Sequence, residues 1–407
     1  MLDKHVLKNG MVILADPMET VESAAFGFML PAGAARLPEG CCGAANIIED
    51  WIFRGASYMD NRALNDALDS LGANRSSAIG ATHLSIGAAL QAENLAAALE
   101  LYAKIITQPR LEDEQFAPAR QLALDGIAAL DDEPRQKVML KLREQFYPQP
   151  LGRSTAGDAV QLKELAAEKT RQLVKEHFNL SEAIFAVAGS YDFDAVCKQL
   201  ERLFETEPQE QSQPISLGEA GPKYTHIHSD GAQVHIGLMT KTVRPDHEDY
   251  YNARMAVSVL GGGMSARLFT EVREKRGLCY AVGASYHGLR EAAGIACYAG
   301  TEPQKAQQTL DCIIEQFERL GNGVTAEEIA RAKVGLESAL IMSSESSPSR
   351  AGRIAVDYYL LGRVRSLDEI KQKIEHTSRQ SVMRFLNDNS FQDYTLVTVG
   401  PEKVSIK

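Results

Sequence analysis

Apolar residues recur along this chain in two rhythms, one near every third or fourth position and one at every second, and the rhythm breaks at turn residues. Apolar runs over 5–16 flank Asn9-Gly10, a dipeptide that predicts a hairpin. A strand is expected over 22–30. The stretch 31–43, with two prolines and three glycines, reads as a loop. A short helix follows over 44–53 and stops at Gly55. Leu64, Leu68 and Leu71 share one face of a helix over 61–71 that ends at Gly72. Alternation predicts a strand over 81–90, and Leu95, Leu99, Tyr102 and Ile106 set the phase of a helix over 93–106. Further helices are predicted over 112–130, 135–146 and 162–177, then a buried strand over 183–189 and a helix over 194–204.

The texture changes at 205–222, which is polar, carries three prolines and has no period. It reads as a linker between domains at 1–204 and 223–407. The second half then repeats the first. A strand is predicted over 234–240, a helix over 250–260 that runs into Gly261-Gly262-Gly263, and a helix over 304–320. Glu114, Phe116, Ala119 and Arg120 match Glu327, Ile329, Ala332 and Lys333 at an offset of 213, and Leu-Gly-Arg recurs at 151 and 361 at an offset of 210. Two related halves of roughly 200 residues follow. Strands in groups separated by helix pairs predict an α+β class. Each domain would be a mainly antiparallel sheet with helices packed on one face, not a doubly wound parallel sheet.

Composition narrows the partners. The 407 residues are 44% hydrophobic and 24% charged, which is enough to bury a core without staples. The net charge of -11 and pI near 5.4 argue against nucleic acid and anionic membrane surfaces. The six cysteines form no C-x-x-C pair and read as reduced thiols, mostly core. No run of eighteen apolar residues predicts a membrane span, and the N-terminus lacks a signal-like apolar stretch, so a cytoplasmic location is expected.

The 44–55 stretch reads A-A-N-I-I-E-D-W-I-F-R-G. Asn46 and Asp50 are four residues apart and share a helix face, with Glu49 beside them. Histidines at those two positions would make H-x-x-E-H, in which two imidazoles bind zinc and the glutamate acts on the bound water. An Asn amide is a poor zinc ligand, and one carboxylate does not make a tetrahedral site. Taken alone, N-x-x-E-D is a polar helix face. Taken with its apolar residues, its F-R-G stop and L-D-S-L-G-A after the next helix, the stretch resembles the pitrilysin/insulinase/mitochondrial-processing-peptidase family. The resemblance covers nearly the whole chain.

That resemblance places the family's two histidines on Asn46 and Asp50 and its catalytic glutamate on Glu49. The third ligand, a glutamate about 76 residues past the second histidine, falls on Gly126, and a supporting glutamate falls on Ala119. All three ligands are thus replaced, and no zinc is expected in this chain. The segment L-G-G-G-M-S-A-R-L-F-T-E-V-R-E-K-R-G-L-C-Y, 260–280, is similar to the family's C-terminal signature. There the resemblance puts an arginine and a tyrosine that contact substrate and developing oxyanion on Arg273 and Tyr280. A guanidinium and a phenol both donate to a carbonyl oxygen that gains charge. On chemistry alone, Arg273 in a surface ion pair and Tyr280 packed in a strand is the favoured reading; the resemblance is what turns it toward the functional pair. The glycine run matches neither a P-loop nor a dinucleotide fingerprint. His226 and His228 alternate on one strand face without a third ligand, and Trp51 reads as core.

The resemblance implies half of a clamshell, closed by a second two-domain unit. Some bacterial members are heterodimers in which one subunit carries zinc and the other the Arg/Tyr pair. This chain has the second profile. It is expected to be inactive alone and to bind extended peptide by strand addition. Arg273 and Tyr280 would serve a zinc site on a homologous partner, and self-association is possible when that partner is absent. The competing expectation is a scaffold or assembly subunit with no part in proteolysis.

Overall fold

The Asn9-Gly10 hairpin forms: Asp3–Val6 and Val12–Pro17 pair antiparallel, and Gly10 takes φ 101°, a left-handed conformation that only glycine adopts cheaply. The computed structural model describes residues 2–406. They divide into two compact units, 2–129 with 149–218 and 343–364, and 130–148 with 219–342 and 365–406.

In the first unit the strand order is Asp3–Val6, Val12–Pro17, Ile184–Gly189, Ser23–Leu30, Leu84–Gln91, Asn74–Ile79. All neighbours are antiparallel except Val12–Pro17 with Ile184–Gly189. One sheet face presents Phe26, Phe28, Ile86, Phe185 and Val187 to a buried core that includes Trp51, Leu64, Leu99 and Leu200 from the helices. The rings of Phe28 and Phe185 lie 4.8 Å apart, and Tyr102 sits edge-on to Phe26 at 4.9 Å. The Tyr102 hydroxyl donates to the Gly87 carbonyl at 2.7 Å. Gly87 has no room for a side chain, because a Cβ there would lie 2.1 Å from the Phe26 carbonyl oxygen.

The opposite face carries the helix Ser347–Leu361, from far along the chain. Its Ile354 and Ala355 pack on Leu14, Ile184 and Ala186. Its Arg350 and Arg353 each donate to Asp16 at 3.1 Å.

The second unit repeats the plan. Its order is Cys279–Gly288, Ala293–Thr301, Val234–Lys241, Tyr394–Gly400, Tyr224–His228, with only the last pair parallel. Ile236, Leu238, Ile295, Cys297 and Leu396 join the helices Tyr250–Gly261, Ala306–Gly321 and Arg379–Asp388 in one core. The other face again carries a helix, Pro134–Phe146, whose Val138 and Leu142 lie against Gly237. Tyr147, just past it, shares a 2.6 Å hydrogen bond with Nδ1 of His287.

Both sheets are mainly antiparallel, and most helices gather on one face, as the α+β reading expects. The helix on each opposite face is not foreseen. Each is supplied from the opposite half of the chain: the compact units part at 218/219, inside 205–222, and exchange the segments 130–148 and 343–364. The helix expected over 162–177 is two, Ala159–Glu164 and Ala167–His177, separated by extended backbone at Leu165 and Ala166. Leu162, Leu165 and Leu173 are all buried and keep an apolar spacing across the break, so periodicity does not register it.

Candidate functional site

The Ala44–Trp51 helix starts after Gly43, at φ 97°, and turns Ala44, Ala45, Ile47, Ile48 and Trp51 inward. Trp51 is fully buried, its ring 4.8 Å from Phe116 and its Nε1 donating to the Glu112 carbonyl at 3.1 Å. That fixes the helix against Asp113–Ala129 and leaves Asn46, Glu49 and Asp50 on the outer side, with Glu49 and Asp50 half-buried.

Each of these side chains is committed elsewhere. The Asn46 amide donates to the carbonyls of Thr155 at 2.9 Å and Gly43 at 3.4 Å. Asp50 accepts from Nε of Arg54, whose Nη1 also reaches Gln115 at 3.3 Å. Glu49 accepts from the Ser77 hydroxyl. Burial pushes the Glu49 carboxyl above its ordinary value; the Ser77 hydrogen bond works against that, and neighbouring Asp50 adds to it. Gly126 is exposed in the interior of Asp113–Ala129 and a Cβ there would touch nothing within 4 Å. Ala119 is buried.

This donor set does not fit zinc. A divalent cation wants deprotonated or neutral lone-pair donors converging at about 2.0–2.3 Å. Here one position donates N–H bonds, one is an arginine-paired carboxylate and one has no side chain. Among the described residues no three His, Cys, Asp or Glu side chains gather as a metal site. His226 shares a 2.9 Å bond with Thr398, and His228 one of 3.0 Å with Asp230, in separate arrangements.

Beside Glu49 lies a recess of about 330 Å³, lined by Glu49, Asp50, Phe53, Arg54, Asn65 and Arg75 among others. Its wall is Asn74–Ile79, the outermost strand of the sheet, paired on one side only. Neither the strand nor the Ser77–Glu49 bond is evident in the sequence. The run N-R-S-S-A-I has no apolar alternation, and its residues are nearly all exposed.

Arg273 and Tyr280 belong to the other unit, apart from the Asn46 frame in the fold's division. Arg273 lies near the end of a wide π turn, Phe269–Glu274, a feature frequent at functional positions. Its guanidinium lies 4.8 Å from the Phe269 ring centroid and 5.5 Å from that of Tyr280. Both residues are exposed, Tyr280 to 77%. Tyr280 lies in the strand Cys279–Gly288 with its ring largely in solvent. Glu271 is taken by Lys275 and Arg276, and among the described residues no carboxylate pairs with Arg273. The turn is tied down by Arg267, just ahead of it, which grips Glu328 at 2.7 and 2.8 Å and the Gly323 carbonyl at 2.6 Å. A rigid base thus presents a solvent-facing guanidinium and phenol side by side. Such a pair can donate hydrogen bonds to a carbonyl or an oxyanion.

Comparison with known proteins bears on this arrangement. Residues 12–159 match the family model "Insulinase (Peptidase family M16)", and residues 164–336 match "Peptidase M16 inactive domain". An uncharacterized zinc protease of Rickettsia bellii is 26% identical over 401 residues, covering 98% of this chain and 97% of that protein. The solved peptidase M16 inactive domain from Pseudomonas fluorescens superposes with a TM-score of 0.89 at 18% identity, covering 100% of this chain and 99% of that one. A chain of complex III2 from Candida albicans gives 0.87 at 16% identity, covering 98% and 96%. At such identities the two structures show a shared fold.

Proposed function

We propose, for a chain that belongs to the insulinase family of peptidases (family M16), the role of the zinc-less subunit in a two-chain metallopeptidase. The chain would bind extended peptide and lend Arg273 and Tyr280 to a homologous partner that carries zinc. The observation that supports this most is the Arg273–Tyr280 pair itself: adjacent, exposed, anchored through Arg267 and, among the described residues, without a carboxylate partner. The helix frame at Asn46, Glu49, Asp50 and Gly126 supports the same reading, since its side chains are engaged elsewhere and do not fit a metal ligand set.

Peptide would enter by adding a strand to an open sheet edge, of which Asn74–Ile79 is the most exposed. Backbone pairing would hold an extended peptide in register at that edge; Arg273 and Tyr280, in the other unit, would serve the carbonyl under attack at the partner's zinc site.

The test is reconstitution. The purified chain is mixed with a homologous subunit of the same genome that has an intact H-x-x-E-H, and cleavage of a quenched fluorescent peptide is followed. The expected result is no cleavage by either chain alone and cleavage by the pair. A pair that assembles but gains nothing over the zinc subunit alone would favour the scaffold role, which the fold shared with the complex III2 chain keeps in view.

A further inference from the structure

The Asn74–Ile79 strand has a free hydrogen-bonding edge, and its side chains alternate between two unlike faces. Arg75, Ser77 and Ile79 point to the side of the Ala44–Trp51 helix, where Ser77 meets Glu49 and Arg75 donates to Asn65 at 2.8 Å. Asn74, Ser76 and Ala78 point to the other side, in register with Ala89, Gly87 and Ser85. There a trough of about 270 Å³ runs along the sheet to Ala351, Gly352 and Ala355 of the Ser347–Leu361 helix, and its lining is mostly apolar. A peptide added at this edge would distribute its own side chains the same way, alternately into the polar recess and toward the apolar trough.

Charge in the recess is unevenly matched. Asp50 is paired with Arg54, and Arg75 is engaged by Asn65 and lies 3.9 Å from Asp69. Glu49 alone has no cation: its partner is a serine hydroxyl, and among the described residues no Lys, Arg or His reaches ion-pairing distance. A half-buried carboxylate beside a second carboxylate is costly unless something positive completes it. Phe53 lines the same recess and offers an apolar wall for an alkyl stem.

We infer that the recess takes the Lys or Arg side chain of an extended peptide, with Glu49 as the carboxylate that receives it and an apolar neighbour in the trough. The residue at the general-base position of the family frame becomes a specificity determinant in this chain. The inference rests on the reading of the chain as peptide-binding. It adds which peptides: extended segments in which basic and apolar side chains alternate.

The experiment uses the full chain and fluorescein-labelled peptides that alternate valine with serine and differ at a single serine position, replaced by Lys in one and by Gln in the other. Affinity is read by anisotropy, and the docking place by hydrogen exchange of 74–79. The expected result is protection of 74–79 by both peptides and about tenfold tighter binding of the Lys peptide. Glu49→Gln, which still accepts from Ser77, should abolish that preference and leave the Gln-peptide affinity within about twofold; a thermal melt checks that the variant is folded. A Lys preference that survives Glu49→Gln, or no preference in the wild type, overturns this inference while the peptide-binding role stands. Failure of both peptides to protect 74–79 overturns the inference and this chain's use of that edge together.

Discussion

Gly126 has no steric role, because it is exposed within a helix and open space surrounds the position of its missing Cβ. Glycine in a helix interior costs about 0.5–1 kcal/mol relative to alanine. Gly126→Ala is therefore expected to raise the chemical-denaturation midpoint by an amount worth about 0.5–1 kcal/mol; a loss of stability would mean the position has a packing role not evident in the fold. At this scale the sequence reveals which residues stand in the family frame, through resemblance, but not what they now touch. Asn46 bonds Thr155 across 109 positions and Ser77 reaches Glu49 across 28, and such pairings follow from the folded sheet and loop, not from local spacing. Arg273 next to Tyr280 is legible because one signature carries both.

Most helices expected from apolar spacing form, although the break at Leu165 and Ala166 leaves no mark on that spacing, and the polar strand Asn74–Ile79 is missed. Asn74–Ile79 is polar because it is an edge, and Ser347–Leu361 turns Ser347, Ala351, Ile354 and Ala355, mostly small residues, to a sheet face that includes Leu14, Ile184 and Ala186. The helix Ala326–Ser344 carries an element-scale prediction. Thr325 and Glu328 cap its start reciprocally, at 3.2 and 2.8 Å, and Glu328 also receives Arg267. Burial pushes the Glu328 carboxyl up, but the Arg267 bond and the Thr325 amide outweigh it and hold it below the ordinary value. A carboxylate with a depressed folded value contributes stability that is present above its unfolded value near 4.5 and is lost as pH falls through the folded one. Glu328→Gln is expected to cost about 1.5–3 kcal/mol at pH 7, and the difference from wild type should shrink on acidification below about pH 4.5. A pH-independent difference between the two proteins would contradict the ion-pair account. Because Arg267 anchors the turn that bears Arg273, the same variant should also weaken any contribution of Arg273 to catalysis.

At the scale of the molecule, each compact unit completes its sheet with a helix drawn from across the chain. For the first unit that helix is locked by Asp16, only 11% exposed at its side chain, between Arg350 and Arg353. Asp16→Ala removes the shared acceptor of two mostly buried guanidinium groups and is expected to destabilise by about 3–5 kcal/mol, as a large drop in melting temperature. A change below about 1 kcal/mol would show the network to be solvent-screened. The twofold repeat is readable from the offsets of 213 and 210 residues, and the α+β class from strand groups separated by helix pairs. The helix exchange is not, because a repeat shows that two halves resemble one another, not which sheet each helix covers.

The central claim is that catalytic weight in this chain lies on Arg273 and Tyr280, with hydrolysis performed elsewhere. It is tested most directly by the kcat of peptide cleavage in the reconstituted pair, with Arg273→Ala and Tyr280→Phe made in this chain. Loss of a donor to a developing oxyanion lowers kcat by about 10²–10³ for a strong contact. A fall of that order for Arg273→Ala and a smaller fall for Tyr280→Phe, with pair assembly unchanged by size-exclusion chromatography, is the expected result. Unchanged kcat in both variants, in a pair that still assembles, would contradict it.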